Sequence, residues 1–592
     1  MSQTNKNRAA HLDVLKAIAI IAVVLYHSGF LTYGYLGVDL FLAINGYLIT
    51  KGLVKNTLGK DARVSFSGYC SFQLGRVVRL LPALLVACFV CMLLGFFIML
   101  PDDYENLSQS VIASSFFGNN ILAAITTKNY WDVANEYKPL MHTWYVGLIM
   151  QFYLVYPLLF YMARIDKKTP KKTLLTMVST LGIISFFIFI GTTNASHRFY
   201  YLPSRFFEFA VGGIVALVQD THERKPFRAS FVYICYGVLI LLFVLNKQII
   251  PDNIRLMFVV ALSCVLIVSS DVLSNVVFSN AVLAKIGQAS YSIFIWHQLL
   301  LAFWRYTIAN HFTIGTYLLY LVVVVVISFV SYRYIEGFTS SLLFSCNGRR
   351  RFYPIFIALF LIVNCFAAYI YFNAGVVRDV PELYITKADK HRGMHAEYCD
   401  RGFQYDKDFV TQKSHWLVIG NSFGRDFVNA IIESPIVDSV EVSYTSDYIN
   451  PKNTSRFSNA DRVFVSSLGV TDKMVSEIEI HCLANGVTPD RIVVVGEKNF
   501  GESNGQIYSK RFRDDYFRLY IEMEDGYWEK NEQLKELFGD RFLDLIGLVS
   551  NEEGMVRVFS DDNHYISADT RHFSKGGAIY FGKLIDWSKY LK

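Results

Sequence analysis

The stretch LDVLKAIAIIAVVLYHSG, residues 12–29, decides how the chain is read. Ten uncharged residues lie between Lys16 and His27. A membrane-spanning helix needs about 20 mostly apolar residues, so this stretch reads as a first span with ionisable side chains toward both ends. Charged and titratable groups inside a span are costly to keep there, which makes each a functional candidate. Lys16 and His27 are eleven positions apart, about 16 Å of helix and close to three turns, so they project from nearly the same face. One helix thus sets a cation near its inner end and an imidazole toward its outer end. A neutral histidine so placed can act as general base on a hydroxyl group. The blander reading of the same spacing is a snorkelling lysine and an interfacial histidine.

The chain has 592 residues, too many for one ordinary soluble domain. Hydrophobic residues make up 53% and charged residues 18%, where soluble domains are about a quarter charged. The apolar excess is confined to residues 12–372, and residues 375–592 have an ordinary soluble composition. After 12–30, further apolar segments fall near 35–53, 78–100, 140–162, 174–192, 204–218, 229–246, 255–271, 286–304, 314–335 and 353–373, about eleven spans in all. The first is not read as a cleaved signal peptide, because it lacks a small-residue cleavage site and a second span follows closely. Basic residues cluster in alternate loops, at Lys51 to Arg76, Arg164 to Lys172, Arg224 to Arg228 and Arg349 to Arg351. By the positive-inside rule these loops and the N-terminus are cytoplasmic, and residues 375–592 are extracytoplasmic. The net charge of +6 is therefore a topology feature and no sign of nucleic-acid binding.

The soluble half alternates short apolar runs, Trp416–Ile419, Val440–Tyr444, Val463–Ser467 and Ile492–Val495, with helical stretches such as Met474–Ala484. That pattern predicts a parallel α/β sheet. Residues 374–412 read as a linker. The expected architecture is a polytopic α-helical membrane domain over 1–345, a last transmembrane helix and periplasmic linker over 346–412, and a periplasmic α/β domain over 413–592. Seven of the nine cysteines lie in or beside the apolar half; Cys399 and Cys482 can pair if their domain is extracytoplasmic, or are unrelated thiols.

Trp416–Asp426, WLVIGNSFGRD, reads as strand, tight turn and helix, with Ser422 at the turn. A helix N-terminus there favours an oxyanion, although serine is also a common cap. Near the C-terminus, Asp569 and His572 have the spacing by which a carboxylate orients an imidazole as base for a serine.

Several motifs in chain order resemble the membrane acyltransferase-3 family over about residues 10–340. They are LDVLKAIAIIAVVLYHSG, GVDLFLAINGYLIT, RVVRLLPA with Arg76 and Arg79, HTWYVGLIMQFYLVYP, YLPSRFFEFAVGG with Arg205 and Glu208, IGQASYSIFIWHQ with Ser290, Tyr291 and His297, and YRYIEGF with Glu336. The chain departs from the family in Lys16 for a usual arginine, Asn45 for a usual serine and Ile149 for a usual glutamate. Lysine keeps the charge of arginine but loses its bidentate fork. The resemblance implies cytoplasmic acetyl-CoA as acyl donor, with Lys16, Arg76 and Arg79 toward its phosphates and His27 as a catalytic residue; no metal is expected. The positive-inside signal alone also accounts for the two arginines. Arg205 and Glu208 are three apart on one helix and read as a structural pair.

Residues 412–592 resemble the SGNH hydrolase family, which implies Ser422 as nucleophile, His572 as base, Asp569 as its orienter, Asn499 as the oxyanion asparagine and Gly469 as the oxyanion glycine, although Gly469 also reads as an ordinary strand-end turn. Asn421 replaces the family's usual aspartate. Together the two resemblances imply a multi-pass protein of the bacterial inner membrane that O-acetylates a periplasmic or cell-surface polysaccharide, or a lipid-linked glycan, such as O-antigen. A membrane-anchored glycan O-acetyl esterase, and a transporter or flippase-like protein on a degenerate acyltransferase scaffold, stay open on the sequence. Which domain makes the final transfer stays open too.

Overall fold

The computed structural model describes residues 3–58, 65–126, 136–219, 227–245, 249–269, 281–308, 312–339, 346–389, 398, 400–501, 504–567 and 569–591. Side chains are described from residue 11 of the first helix and from residue 352 of the helix Cys346–Phe372. The chain forms two compact units, Met1–Phe97 with Asn106–Tyr369, and Ile98–Glu105 with Ile370–Lys592.

The first unit is helical. Among the described residues, seven helices are long and apolar enough to cross a membrane: Gly34–Leu58, Phe66–Ile98, Met141–Ala163, Pro170–Gly191, Ala195–Gln219, Ile314–Thr339 and Phe352–Phe372. The other four expected segments are helical too, at Gln3–His27, Ala229–Val244, Asp252–Val268 and Ser290–Thr307. They miss that length and composition because they are shorter or more polar. The helix Ser290–Thr307, for example, buries His297 and Gln298 among other helices. A helix enclosed by protein need not be apolar all round. Close packing here uses small residues. A Cβ on Gly46 would lie 2.0 Å from the Phe209 carbonyl oxygen, and one on Gly212 would lie 1.9 Å from that of Ala43. The helices Gly37–Leu53 and Leu202–Gln219 thus touch backbone to backbone, and that contact carries Asp39, Arg205 and Glu208.

The second unit is a parallel five-stranded sheet of order β2-β1-β3-β4-β6, from β1 (Ser414–Ile419), β2 (Val440–Thr445), β3 (Arg462–Val465), β4 (Ile492–Val495) and β6 (Phe542–Leu543). A small antiparallel pair, β5 (Tyr520–Ile521) and β7 (Val556–Arg557), lies apart from it. The four expected strands are present. Alternate residues of β1 enter two different cores: Trp416 and Val418 pack with Phe427, Phe464 and Phe581, whereas Leu417 and Ile419 pack with Val475, Ile478 and Leu534. Both faces are therefore covered by helices, which is why these strands read as unbroken apolar runs. Cys482 is buried in the second core, and Cys399 lies outside the described residues. The expected linker is in part structured: Val376, Val380 and Ile385 are buried, and Val380 joins the first core.

From β1 the chain moves outward to β2 and then returns to the other side of β1 as β3. In open α/β sheets the crevice at such a reversal, beyond the carboxyl ends of the strands, is where ligands bind. Ser422 follows β1 at that point.

Candidate functional site

Ser422 is the first residue of the helix Ser422–Ile432, and Asn421 caps it by accepting from Phe423 N at 3.1 Å. The same Asn421 oxygen accepts from Leu468 N at 3.1 Å, tying the turn after β1 to the loop after β3. Asparagine at this position thus caps and braces as an aspartate would, with no charge. Gly420 is required beneath it, since a Cβ there would meet the Ser466 carbonyl oxygen at 1.7 Å.

His572 Nε2 lies 2.9 Å from Ser422 Oγ, and its Nδ1 lies 2.8 Å from Asp569 Oδ2. The other Asp569 oxygen accepts the backbone N–H groups of Arg571 and His572, at 2.6 and 2.8 Å. Burial alone would raise the Asp569 carboxyl, but His572 and these N–H groups outweigh it and hold it well below the usual carboxylate range. An ionised Asp569 fixes His572 with Nδ1 protonated, and Nε2 is left to accept the serine proton. The three residues expected from sequence meet in one hydrogen-bonded serine–histidine–aspartate chain.

Asn499 is bonded to its own loop and to Glu524. Its side-chain oxygen accepts from Gly501 N and Glu524 N, and its amide donates to Glu524 Oε2 at 3.2 Å. Glu524 in turn binds Arg571 at 2.8 Å, and Phe500 N donates to Thr570 O at 2.8 Å. Asn499 therefore braces the loop that carries Asp569 and His572. Gly469 gives its N–H to Glu497 at 2.9 Å. The sequence reading passed over Asp426 and Lys498, a buried ion pair at 2.8 Å. Asp426 stands on the Ser422–Ile432 helix and also accepts from Phe573 N, next to His572, at 3.0 Å. Lys498 Nζ sits 3.7 Å over the ring of Phe423, next to Ser422. One carboxylate so couples the helix of Ser422 to the loop of His572. The signal in the sequence was Asp426 at an otherwise apolar helix position.

In the helical unit, Lys16, Arg76 and Arg79 line one cavity of about 140 Å³, together with Asn45, Ile149, Tyr153 and Glu336. Asn45 donates to Tyr145 Oη at 2.7 Å and accepts from Tyr153 Oη at 3.1 Å. Arg76 lies over the rings of Phe72 and Tyr153, at 4.9 and 5.5 Å. Lys16 pairs with Asp13 at 3.1 Å. Three cations and one lining carboxylate, Glu336, give the cavity a positive excess suited to phosphates. A lysine is a point charge there and an arginine a fork. Ile149 faces this cavity, where a glutamate would cancel one cation.

His27 lines a separate cavity of about 160 Å³, with Tyr35, Asp39, Trp144, Arg198, Arg205 and Asp252 among its walls. Arg205 hydrogen-bonds Asp39 and pairs with Glu208 at 3.2 Å, all three buried. The expected Arg205–Glu208 pair is thus a triad with Asp39, which the rule for ionisable residues in spans would also have flagged. His27 and His297 rings are 5.2 Å apart, and His297 and His142 rings 5.4 Å. His297 Nδ1 donates to Phe294 O and His142 Nε2 to Ile295 O, at 2.7 and 3.1 Å. Among the described residues, no three His, Cys, Asp or Glu side chains are arranged to hold a metal ion.

The acyltransferase-domain profile of the acyltransferase-3 family matches residues 10–333. The peptidoglycan O-acetyltransferase OatA of Listeria monocytogenes (serovar 1/2a) is 29% identical over 306 residues, 48% of each chain. The O-acetyltransferase OatA of Staphylococcus aureus (strain NCTC 8325) is 26% identical over 351 residues, 55% of this chain and 56% of that protein. The chain spans about half the length of these curated relatives. No solved structure matches it.

Proposed function

We propose that this chain, which belongs to the acyltransferase-3 family, moves acetyl groups from cytoplasmic acetyl-CoA to hydroxyls of a cell-envelope polysaccharide outside the bacterial inner membrane. The observation that carries the reading is the arrangement along one helix. A cation-lined cavity lies at Lys16 and a separate cavity lies at His27, eleven positions on. In this reading the first receives the phosphates of the donor from the cytoplasm, and the second is the outer station where His27 serves as base. The basic loops set the N-terminus inside and the C-terminal unit outside.

The C-terminal unit then makes or completes the transfer. Ser422 Oγ attacks the acyl carbonyl while His572 Nε2 takes its proton, and the acyl–oxygen bond to serine forms as the donor group leaves with that proton. A sugar hydroxyl repeats the steps in reverse, losing its proton to His572 and releasing Ser422. The N-terminal end of the helix Ser422–Ile432 favours the oxyanion by its dipole. The acceptor is peptidoglycan by the name of the Listeria relative, and a surface glycan such as O-antigen by the sequence reading.

The test is the O-acetyl content of each envelope glycan, by proton NMR, in cells lacking the gene and complemented with wild type, His27→Ala or Ser422→Ala. Acetylation restored by wild type and lost in both variants supports the two-station reading. Loss with His27→Ala alone puts the transfer in the helical unit. Acetyl content that rises with Ser422→Ala makes the C-terminal unit an esterase, the second reading that the complete serine–histidine–aspartate chain supports. No dependence on the gene rejects the acyltransferase.

A further inference from the structure

We infer that Gln298 is a positioning residue for His27: its carboxamide fixes the imidazole as the Nδ1–H tautomer and so presents Nε2 as the base. The inference rests on the reading of His27 given above. His27 Nδ1 lies 2.7 Å from Gln298 Oε1. Gln298 Nε2 reaches the main-chain oxygen of Glu136 at 3.3 Å, and a carbonyl can only accept. That contact settles which end of the carboxamide is which, so the oxygen is the end facing His27. An amide oxygen accepts and never donates, so the proton of a neutral His27 sits on Nδ1 and its basic lone pair on Nε2.

The same helix also holds the backbone of His27. Arg305 donates to the His27 carbonyl at 2.8 Å, and it is itself anchored on the Glu136 carbonyl at 3.0 Å and the Glu136 carboxylate at 3.4 Å. Gln298 and Arg305 are seven apart, two turns on one face of Ser290–Thr307. Side chain and main chain of His27 are therefore clamped from one rigid element. This is the work that Asp569 does for His572, done here by a neutral group. A carboxamide orients the ring but, unlike a carboxylate, does not add a charge that favours imidazolium. The other titratable or charged groups facing His27 are His297 and Arg305 from this helix, His142 beyond His297, Tyr26 beside it, and Tyr35, Asp39, Arg198, Arg205 and Asp252 around its cavity.

The test uses the full chain in membrane vesicles, with acetyl-CoA as donor and purified cell-wall glycan fragments as acceptor. Gln298→Leu is expected to lower kcat by roughly 10–100-fold and leave KM for acetyl-CoA within about twofold, the pattern of a lost transition-state contribution. Gln298→Glu keeps the shape and accepts the same hydrogen bond. It is expected to retain more activity than the leucine variant and to move the acidic limb of the kcat–pH profile upward by about 1 unit, because a carboxylate favours the protonated ring. Wild-type kcat in Gln298→Leu, or an unmoved acidic limb in Gln298→Glu, overturns the inference. If the leucine variant does not accumulate in membranes, the glutamate variant decides alone. His27→Ala separates the two readings: activity retained there rejects His27 as base and Gln298 with it, whereas activity lost there beside a wild-type Gln298→Leu rejects Gln298 only.

Discussion

His572 touches both Ser422 and Asp569, so the three act as a unit and their substitutions should not add. Ser422→Ala is expected to lower acyl-ester turnover by about 10⁶-fold and Asp569→Asn by about 10⁴-fold, with the double variant no worse than Ser422→Ala alone. Steady-state rates on a chromogenic acetyl ester check this. Asp569 is held below its ordinary value, so its contribution is present above about pH 4 and is lost only as pH falls through its depressed value. A second residue-scale prediction concerns Ile149. A carboxylate placed in the cavity of Lys16, Arg76 and Arg79 opposes an anionic donor. Ile149→Glu is expected to raise KM for acetyl-CoA by about tenfold, some 1.4 kcal/mol, with kcat little changed.

Elements hold these residues in place through a few buried polar links. Asp426 on the Ser422–Ile432 helix binds Lys498 after β4 and the Phe573 backbone beside His572. Removing one partner of a fully buried pair leaves the other charge stranded, at a cost of about 3–5 kcal/mol. Lys498→Met and Asp426→Asn are each expected to destabilise the C-terminal unit by that amount. The double change Asp426→Leu with Lys498→Met should cost less than the sum, because no charge is then left alone. Denaturant unfolding of the full chain, followed by tryptophan fluorescence to which the buried Trp416 and Trp587 of this unit contribute, measures both. Equal, additive losses would show that the two residues do not work as a pair.

At the scale of the whole molecule, the basic loops and the span pattern place the C-terminal unit outside the cytoplasm in the reading proposed above. An externally added protease or a membrane-impermeant amine reagent should then reach residues 375–592 in intact spheroplasts and leave Lys167 to Lys172 untouched. Labelling of that loop in sealed cells, with the C-terminal unit protected, would invert the topology and reverse the assignment of the two cavities. The prediction belongs to this scale because no single residue decides orientation; the sum of lysines and arginines over all short loops does.

Sequence by itself determined what depends on composition and short-range period. The helical unit, the four core strands at 416–419, 440–444, 463–467 and 492–495, and the residues Ser422, Asp569 and His572 were all legible, because apolar runs, turns and short spacings are local properties. It did not show which helices face outward and which are enclosed by others: Ser290–Thr307 reads as a lipid-facing segment until its neighbours bury His297 and Gln298. Tertiary structure alone decided the long-range choices. Lys16, Arg76 and Arg79 share a cavity while His27 lies in another, Asp39 joins Arg205 and Glu208, Gln298 meets His27 across 271 positions, and Asp426 meets Lys498 across 72. Asn499 meets Glu524 across 25 positions for the same reason. A polar side chain has no periodicity that announces its partner, and that partner is chosen only when packing withdraws both from solvent and each buried donor must find an acceptor.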